Sequence, residues 1–161
     1  MNIENKVVVV TGAASGIGRA LAQAFKNARA DKVYIADLNE EGLADTADLM
    51  DGIAIKTDVS KESEIRSLIE EVNKENDIDI FCSNAGIFTA GGEEVSNDSW
   101  QNIWDINVMS HVFAARAVLP SMLERGEGYL LNTSSAAGLL SQVGSAPYSV
   151  TKHAAIGFAE W

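Results

Sequence analysis

Residues 6–18 read KVVVVTGAASGIG, an apolar run that leads directly into a loop with three glycines. Four consecutive valines are typical of a strand buried on both faces, as the strands of parallel sheets are. Gly12, Gly16 and Gly18 then follow the spacing G-x-x-x-G-x-G, and an amphipathic helical pattern begins at Ile17. A strand, a glycine loop and a helix in this order predict a loop that wraps a phosphate group.

Short apolar runs alternate with helical patterns on both sides of this loop and along the rest of the chain. Residues 6–11, 32–37, 52–57, 78–84 and 129–133 predict strands, and residues 17–28, 39–50, 60–74 and 100–124 predict helices, with a last helix from near Pro147. This alternation predicts a doubly wound α/β fold, in which helices cover both faces of a parallel sheet. Functional residues should then follow the carboxyl ends of the strands.

The composition excludes several classes of function. The 161 residues carry 12 Lys and Arg against 23 Asp and Glu, and this net charge of −11 disfavours nucleic acid and anionic membranes as partners. No apolar run approaches the roughly 18 residues of a membrane span. Cys82 is the single cysteine and no secretory leader is evident, so we expect a cytoplasmic protein. His111 and His153 lack metal-ligand spacing, and no metal site is predicted.

The glycine loop suits a Rossmann-like dinucleotide site, and we expect one such domain over residues 1–161. Gly12 allows a tight turn, Gly16 lets the backbone approach a pyrophosphate, and Gly18 permits close packing. Ser15 and Ile17 complete the loop. The free N–H groups and positive dipole end of the helix explain how an acidic chain can hold an anionic cofactor. A plain glycine turn is the alternative, and the position between strand and helix disfavours it.

The second predicted strand ends at Asp37, about 20 residues after Gly18, where an acid is expected to bind the adenosine ribose hydroxyls. The same carboxylate would repel a 2′-phosphate. Like charges at about 4 Å cost about 4 kcal/mol at an effective dielectric near 20. Leu38 and Asn39 follow it and offer no cation. The sequence therefore predicts NAD rather than NADP.

Together with four later motifs, these residues resemble the short-chain dehydrogenase/reductase family over the whole chain. The later motifs, in the family's order, are Asp58-Val59, Asn84-Ala85-Gly86, Asn107, and Ser134-Ser135 followed by Tyr148-x-x-x-Lys152. The resemblance implies that Asp58 and Val59 contact the adenine and that the Asn84 motif borders the cofactor. Ser83 departs from the pattern, because many members have a second Asn there.

The resemblance also implies an oxidoreductase that interconverts a secondary alcohol and a ketone with NAD. Tyr148 would transfer the proton, and Lys152 would hold the nicotinamide ribose. Ser135, which lies 13 residues before Tyr148 as in the family, would bond the substrate oxygen and is preferred over Ser134. Asn107 would help to order a water in a proton relay.

The spacing of Tyr148 and Lys152 places both on one face of a helix. A tyrosine ordinarily has a pKa of about 10, so acting as a base near pH 7 requires about 4 kcal/mol of preference for the phenolate. An ammonium at about 5 Å supplies about 3 kcal/mol of that preference. Each residue also has a structural alternative. Tyr148 and Lys152 could be a chance pair on a surface helix, the two serines could form a turn, and Asn107 could cap or bend a helix. The joint order of the motifs disfavours them.

The chain stops at Trp161, within the helix of Tyr148 and Lys152, whereas family members continue, so we expect an incomplete C-terminal side. The fifth strand would then be an edge, and apolar residues of the last helix would lack cover. Two functions remain open: an oxidoreductase whose missing part is supplied elsewhere, or a dinucleotide-binding module without turnover. The apolar segment after Ser135 favours a lipophilic substrate. The resemblance also implies a homo-oligomer, because family members often assemble through the long helix around Asn107 and the last helix.

Overall fold

The computed structural model describes residues 2–161, so Met1, the first residue of the expected domain, lies outside the described part. Five parallel strands form one sheet in the order β3-β2-β1-β4-β5. They are β1 (Val7–Thr11), β2 (Lys32–Asp37), β3 (Ile53–Lys56), β4 (Ile80–Ser83) and β5 (Tyr129–Asn132). The strand order reverses at β1, which has β2 on one side and β4 on the other. The predicted doubly wound α/β fold is confirmed.

Six α-helices connect or follow the strands. They are α1 (Gly16–Asn27), α2 (Glu40–Met50), α3 (Glu62–Asn73), α4 (Asn97–Trp104), α5 (Ser110–Arg125) and α6 (Ala146–Glu160). The helix predicted over 100–124 begins earlier, because the Ser96 hydroxyl caps it by accepting a hydrogen bond from the Ser99 N–H. A π-helical turn, Asp105–Met109, joins α4 to α5, and a 3₁₀ turn, Ala136–Gly138, follows β5.

Apolar side chains of the sheet pack against helices on both faces. Val7 and Val9 of β1 belong to a cluster with residues of α3 and α5, whereas Val8 and Val10 belong to a cluster with residues of α1 and α2. Successive side chains of a strand point to opposite faces, so the four valines serve both clusters. This burial fixes the end of β1, where the glycine loop begins.

Several strands end one residue earlier than predicted at the carboxyl edge of the sheet. The predicted strand 78–84 ends at Ser83, and the predicted strand 129–133 ends at Asn132. The next residues bond through their side chains, as the Thr133 hydroxyl donates to the Asn84 side-chain oxygen at 3.0 Å. The residues that follow these strands lie along the carboxyl edge of the sheet, where the ligands of such sheets bind.

The continuous helical stretch Asn97–Arg125 meets a length and composition test for crossing a membrane, with a mean hydropathy of 1.2. Within this stretch, 44% of an 18-residue apolar window is buried inside the fold. The inner face of α5, with Ala114, Val118 and Met122, belongs to the cluster that packs on the sheet. The stretch is therefore explained as the core helix of a globular fold.

Candidate cofactor and active site

A groove of about 450 Å³ lies at the carboxyl edge of the sheet, where the strand order reverses. Every residue that the sequence predicts to contact the cofactor lines this groove: Gly12, Ser15, Gly16, Ile17, Gly18, Asp37, Asp58, Val59, Asn84, Ala85, Gly86, Tyr148 and Lys152. The fold thus brings together residues from five separate segments of the chain. Their role in binding the cofactor stays a prediction. Two of the predicted catalytic residues, Asn107 and Ser135, do not line the groove.

The glycine loop adopts a backbone that other residues could not adopt without strain. Gly12 has a φ of +68°, and a Cβ there would lie 2.7 Å from the Cα of Ala85. Gly16 has a φ of +53°, and a Cβ there would meet open space. A Cβ at Gly18 would overlap the Gly12 carbonyl oxygen. The loop is closely packed on itself yet open at Gly16.

This loop fits the pyrophosphate of a dinucleotide. The open position at Gly16 is exposed and lies at the start of α1, whose first turn carries no acidic residue. Ser15 precedes the helix without capping it through its hydroxyl. The first N–H groups of α1 and its positive dipole end are therefore available to an anion.

The carboxylate of Asp37 is fixed at the end of β2 by two main-chain donors. Its oxygens accept hydrogen bonds from Ala14 N–H at 3.1 Å and from Asn39 N–H at 3.0 Å. Arg19, a cation on the neighbouring helix, is committed elsewhere, because its guanidinium donates to the Thr46 hydroxyl at 2.8 Å and to the Ala14 carbonyl at 2.5 Å. The groove therefore presents a fixed negative charge at this point.

Asp58 lines the groove, but its carboxylate serves the loop before α3. It accepts hydrogen bonds from the main chain and hydroxyl of Ser60 at 3.0 and 2.6 Å, and it pairs with Lys61 at 3.1 Å. Burial by itself would raise the pKa of Asp58, but these bonds and the Lys61 ammonium outweigh burial and lower it. An adenine contact at this position would thus not use a free carboxylate.

Asn84 joins three strand ends beneath the groove. Its amide NH₂ donates to the Thr11 carbonyl at 3.0 Å, and its side-chain oxygen accepts from the Thr133 hydroxyl at 3.0 Å. The Thr11 hydroxyl in turn accepts from the N–H groups of Asn84 and Ala85. This network holds the ends of β1, β4 and β5 together beneath the groove.

The first turn of α6 places Tyr148 at the groove. Ser145 caps the helix, because its hydroxyl oxygen accepts from the Tyr148 N–H at 3.2 Å and its O–H donates to the Thr89 carbonyl at 2.5 Å. The Phe88 ring packs against the Tyr148 ring, with centroids 5.3 Å apart. The cap and this ring contact tie Tyr148 to the segment that follows β4.

Lys152 lies one helical turn after Tyr148 and is almost completely buried. Its Nζ lies 5.7 Å from the centroid of the Tyr148 ring and donates to the Thr133 carbonyl at 3.1 Å. Only 3% of the residue is exposed, and burial lowers the pKa of Lys152. No carboxylate pairs with this ammonium within residues 2–161. Its field therefore reaches Tyr148 without an opposing acid beside it.

Asn107 lies in the π-helical turn, and its side chain is fully engaged. Its amide oxygen accepts from the Ile87 N–H at 2.8 Å, and its NH₂ donates to the Ile87 carbonyl at 3.0 Å and to the Thr151 hydroxyl at 3.2 Å. These bonds brace the segment after β4 against α6. The side chain therefore helps to hold α6, with Tyr148 and Lys152, in place, and the role of Asn107 in ordering a water stays a prediction.

Ser134 and Ser135 occupy different positions relative to the groove. Ser134 lines the groove, and its hydroxyl donates to the Lys152 carbonyl at 3.0 Å. Ser135 lies outside the groove lining and caps the 3₁₀ turn by accepting from the Ala137 N–H at 3.2 Å. The Ser134 bond supports α6. The predicted contact of Ser135 with the substrate stays a prediction.

Sequence reasoning missed several residues that line the groove: Leu38, Thr57, Ile87, Phe88, Ile106 and Thr133. It named Ser134 but preferred Ser135, which does not line the groove. Most of the missed residues directly follow a strand or a predicted site residue. The rule that functional residues follow strand ends could have found them. Ile106 comes from the π-helical turn, and no local signal in the sequence marks it.

Comparison with known proteins agrees with this geometry. A family model described as short chain dehydrogenase matches residues 6–161. The chain belongs to the short-chain dehydrogenase family. A short-chain dehydrogenase/reductase from Burkholderia phymatum, solved in complex with NAD, superposes with a TM-score of 0.95 at 32% identity, covering 99% of this chain and 59% of that one.

Two curated relatives of this chain carry names that differ in detail. The uncharacterized oxidoreductase YvrD of Bacillus subtilis is 34% identical over 164 residues, which are 99% of this chain and 62% of the relative. Epidermal retinol dehydrogenase 2 of Mus musculus is 34% identical over 168 residues, 99% of this chain and 54% of the relative. The chain thus spans little more than half the length of these relatives.

Proposed function

We propose that this short-chain dehydrogenase binds NAD in the groove and interconverts a secondary alcohol and a ketone. The observation that carries the proposal is that Tyr148 and the buried Lys152 line the same groove as the glycine loop and Asp37. The Burkholderia relative, solved with NAD, supports this choice of cofactor. The name of the mouse relative supports an alcohol as the substrate class.

The chain's own residues would handle the proton. Tyr148 would accept it from the alcohol or donate it to the carbonyl oxygen, and Ser135 would hold that oxygen by a hydrogen bond. The Lys152 Nζ lies 5.7 Å from the centroid of the Tyr148 ring, so the lysine would place a positive charge on the Tyr148 side of the groove and would hold the nicotinamide ribose. When bound, NAD would supply or accept the hydride.

The surroundings of Tyr148 favour an apolar substrate. Phe88 packs on its ring and is 58% exposed, and Leu139, Leu140 and Val143 are 74%, 72% and 93% exposed on the segment after Ser135. Phe88 lines the groove, and an exposed apolar side chain there is typical of a surface that a lipophilic ligand covers. Leu139, Leu140 and Val143 are expected to border the same surface, because they lie between Ser135 and Tyr148 in the chain. We therefore extend the proposal to lipophilic alcohols and ketones.

Asp37 is proposed to set the preference for NAD. Replacing Asp37 by Ala should lower the ratio of NADPH to NADH dissociation constants at least about tenfold, because a charge that repels a 2′-phosphate is removed. Fluorescence titration of both reduced cofactors measures the ratio. Asp48→Asn is the control, since it removes one exposed charge from α2 outside the groove. An unchanged ratio in Asp37→Ala would refute this role.

Mixing the chain with NAD and a panel of lipophilic and small secondary alcohols tests the proposed reaction. We expect NADH absorbance to rise with lipophilic alcohols and to rise far less with 2-propanol. The second candidate function is a dinucleotide-binding module without turnover. NAD binding without NADH formation from any alcohol would support that module and reject the proposed turnover.

A further inference from the structure

Thr151 is a fully buried polar residue that the proposed reaction does not use. It lies in α6, three positions after Tyr148 and one position before Lys152, and it is 0% exposed. It does not line the cofactor groove. Burying a hydroxyl group costs free energy unless the group is hydrogen-bonded, so the partners of this side chain indicate its role.

The Thr151 hydroxyl is a hydrogen-bond donor and an acceptor at the same time. Its O–H donates inside α6 to the Pro147 carbonyl at 2.9 Å, and the Tyr148 carbonyl is a second acceptor at 3.1 Å. Its oxygen accepts a hydrogen bond from the side-chain NH₂ of Asn107 at 3.2 Å. A hydroxyl has one donor and two lone pairs, so the bond inside α6 leaves the oxygen free to hold another segment of the chain.

Asn107 depends on this acceptor because it is also 0% exposed. One N–H of its side chain donates to the Ile87 carbonyl at 3.0 Å, and the other donates to Thr151. Its side-chain oxygen accepts from the Ile87 N–H at 2.8 Å. Without the Thr151 oxygen, one N–H would be left unpaired and away from solvent, which favours a rearrangement of the whole amide. The two bonds to Ile87 should then weaken as well.

The bond between Asn107 and Thr151 joins two helical parts of the chain. Among residues 2–161, it is the single hydrogen bond between the helical stretch Asn97–Arg125 and α6. Asn107 lies in the π-helical turn of that stretch. Such turns are rare and occur often at functional sites. The hydroxyl therefore supports this irregular turn from a neighbouring helix.

The same bonds connect two segments that line the cofactor groove. Ile87 and Tyr148 both line it, and the bonded pair of buried side chains links the one to the main chain of the other. The region is closely packed, because a Cβ at Gly86 would lie 3.2 Å from the Asn107 side-chain oxygen and 3.4 Å from the Lys152 Nζ. A shift of Asn107 would therefore disturb both sides of this end of the groove.

We propose that Thr151 is a positioning residue, whose hydroxyl anchors the Asn107 side chain and thereby fixes the Ile87 segment relative to Tyr148 and Lys152. This inference rests on the proposed function, because the positioning serves the proton transfer by Tyr148. It assigns Thr151 no contact with substrate or cofactor. The hydroxyl is the required group, so serine should replace threonine at this position and valine should not.

Hydrogen exchange followed by NMR tests the anchor in the chain without NAD or substrate. Thr151→Val keeps the shape of the side chain and removes the acceptor oxygen. The protection of the Ile87 amide against exchange should fall at least about tenfold relative to that of Val9, a buried residue of β1 that reports global stability. Thr151→Ser should keep the Ile87 protection within about threefold of the parent chain. Unchanged protection of Ile87 in folded Thr151→Val would overturn the proposal.

A measurement on the parent chain keeps the proposal falsifiable if Thr151→Val does not fold. With asparagine labelled with ¹⁵N, one of the two Asn107 side-chain amide protons should show a nuclear Overhauser effect to the Thr151 side chain, and both protons should exchange slowly with solvent. Asn107 amide protons that exchange fast, or that show no such effect to Thr151, would overturn the proposal.

Steady-state kinetics test whether the anchor serves the reaction. In Thr151→Val, kcat for a lipophilic secondary alcohol should fall at least about tenfold, because a small misplacement of reacting groups is costly, whereas the NADH dissociation constant should change less than about threefold. Thr151→Ser should recover kcat to within about threefold of the parent. Ser121→Ala is the control, since its hydroxyl bonds only to the Val118 carbonyl of its own helix, and it should leave kcat within about twofold. Equal kcat in folded Thr151→Val and an active parent would overturn the positioning role. An inactive parent would reject the proposed turnover, and the exchange measurement would still decide whether Thr151 anchors Asn107.

Discussion

Replacing Tyr148 by Phe is expected to lower kcat for oxidation of a lipophilic secondary alcohol at least about a hundredfold, because a positioned general acid or base contributes about 10²–10⁴ in rate. The substitution removes one hydroxyl and keeps the ring that packs on Phe88 at 5.3 Å. The glycine loop and Asp37, which line the far part of the same groove, are untouched. The dissociation constant for NADH should therefore change by less than about threefold, a difference below 1 kcal/mol.

Steady-state kinetics and NADH titration of the same preparations separate these two effects. Tyr129→Phe is the matched control, because Tyr129 is a half-exposed residue of β5 and forms no side-chain hydrogen bond within the described residues. It should leave kcat within about twofold of the parent chain. If Tyr148→Phe retained more than a tenth of the activity, Tyr148 could not be the proton donor and acceptor.

Gly18→Ala should destabilise the chain by about 3 kcal/mol or more, because the added methyl group would overlap the Gly12 carbonyl. It would also lie 2.7 Å from the Asn84 amide nitrogen, which is held by the strand-end network. None of these neighbours is the free end of a flexible side chain. For a chain of this length, the loss corresponds to a fall in Tm of about 6–12 °C.

Gly157→Ala is the matched control within the same chain. Gly157 lies inside α6, has no strained φ, and a Cβ there would meet nothing within 4 Å. Alanine should therefore stabilise the helix by about 0.5–1 kcal/mol. Thermal or urea unfolding of both variants measures the contrast. Equal stability of Gly18→Ala and the parent chain would contradict the described packing of the glycine loop.

The part of the fold that local patterns determine was predictable from the sequence. The valines of β1 and the glycines after them fix a buried strand, a tight loop and a helix within residues 6–18, and the structure has all three. The rule that ligands bind beyond strand ends then placed Asp37, Asp58 and the Asn84 motif at one groove, because each ends a strand or lies within two residues of a strand end.

The remaining features depend on contacts between distant parts of the chain. Asn107 bonds to Ile87 and Thr151, which are 20 and 44 residues away, so its bracing of α6 has no local signal. The same holds for the Lys152 bond to Thr133. A sequence pattern gives residue types and spacing, but it does not say which of several acceptors a side chain reaches after folding.

A crystal structure of the chain with NAD tests the central claim most directly. We expect the pyrophosphate at the N–H groups near Gly16, the adenosine ribose on Asp37, and the nicotinamide end beside the Tyr148 hydroxyl and the Lys152 amine. A dinucleotide bound outside this groove, or bound with Tyr148 and Lys152 turned away from its nicotinamide ring, would contradict the account.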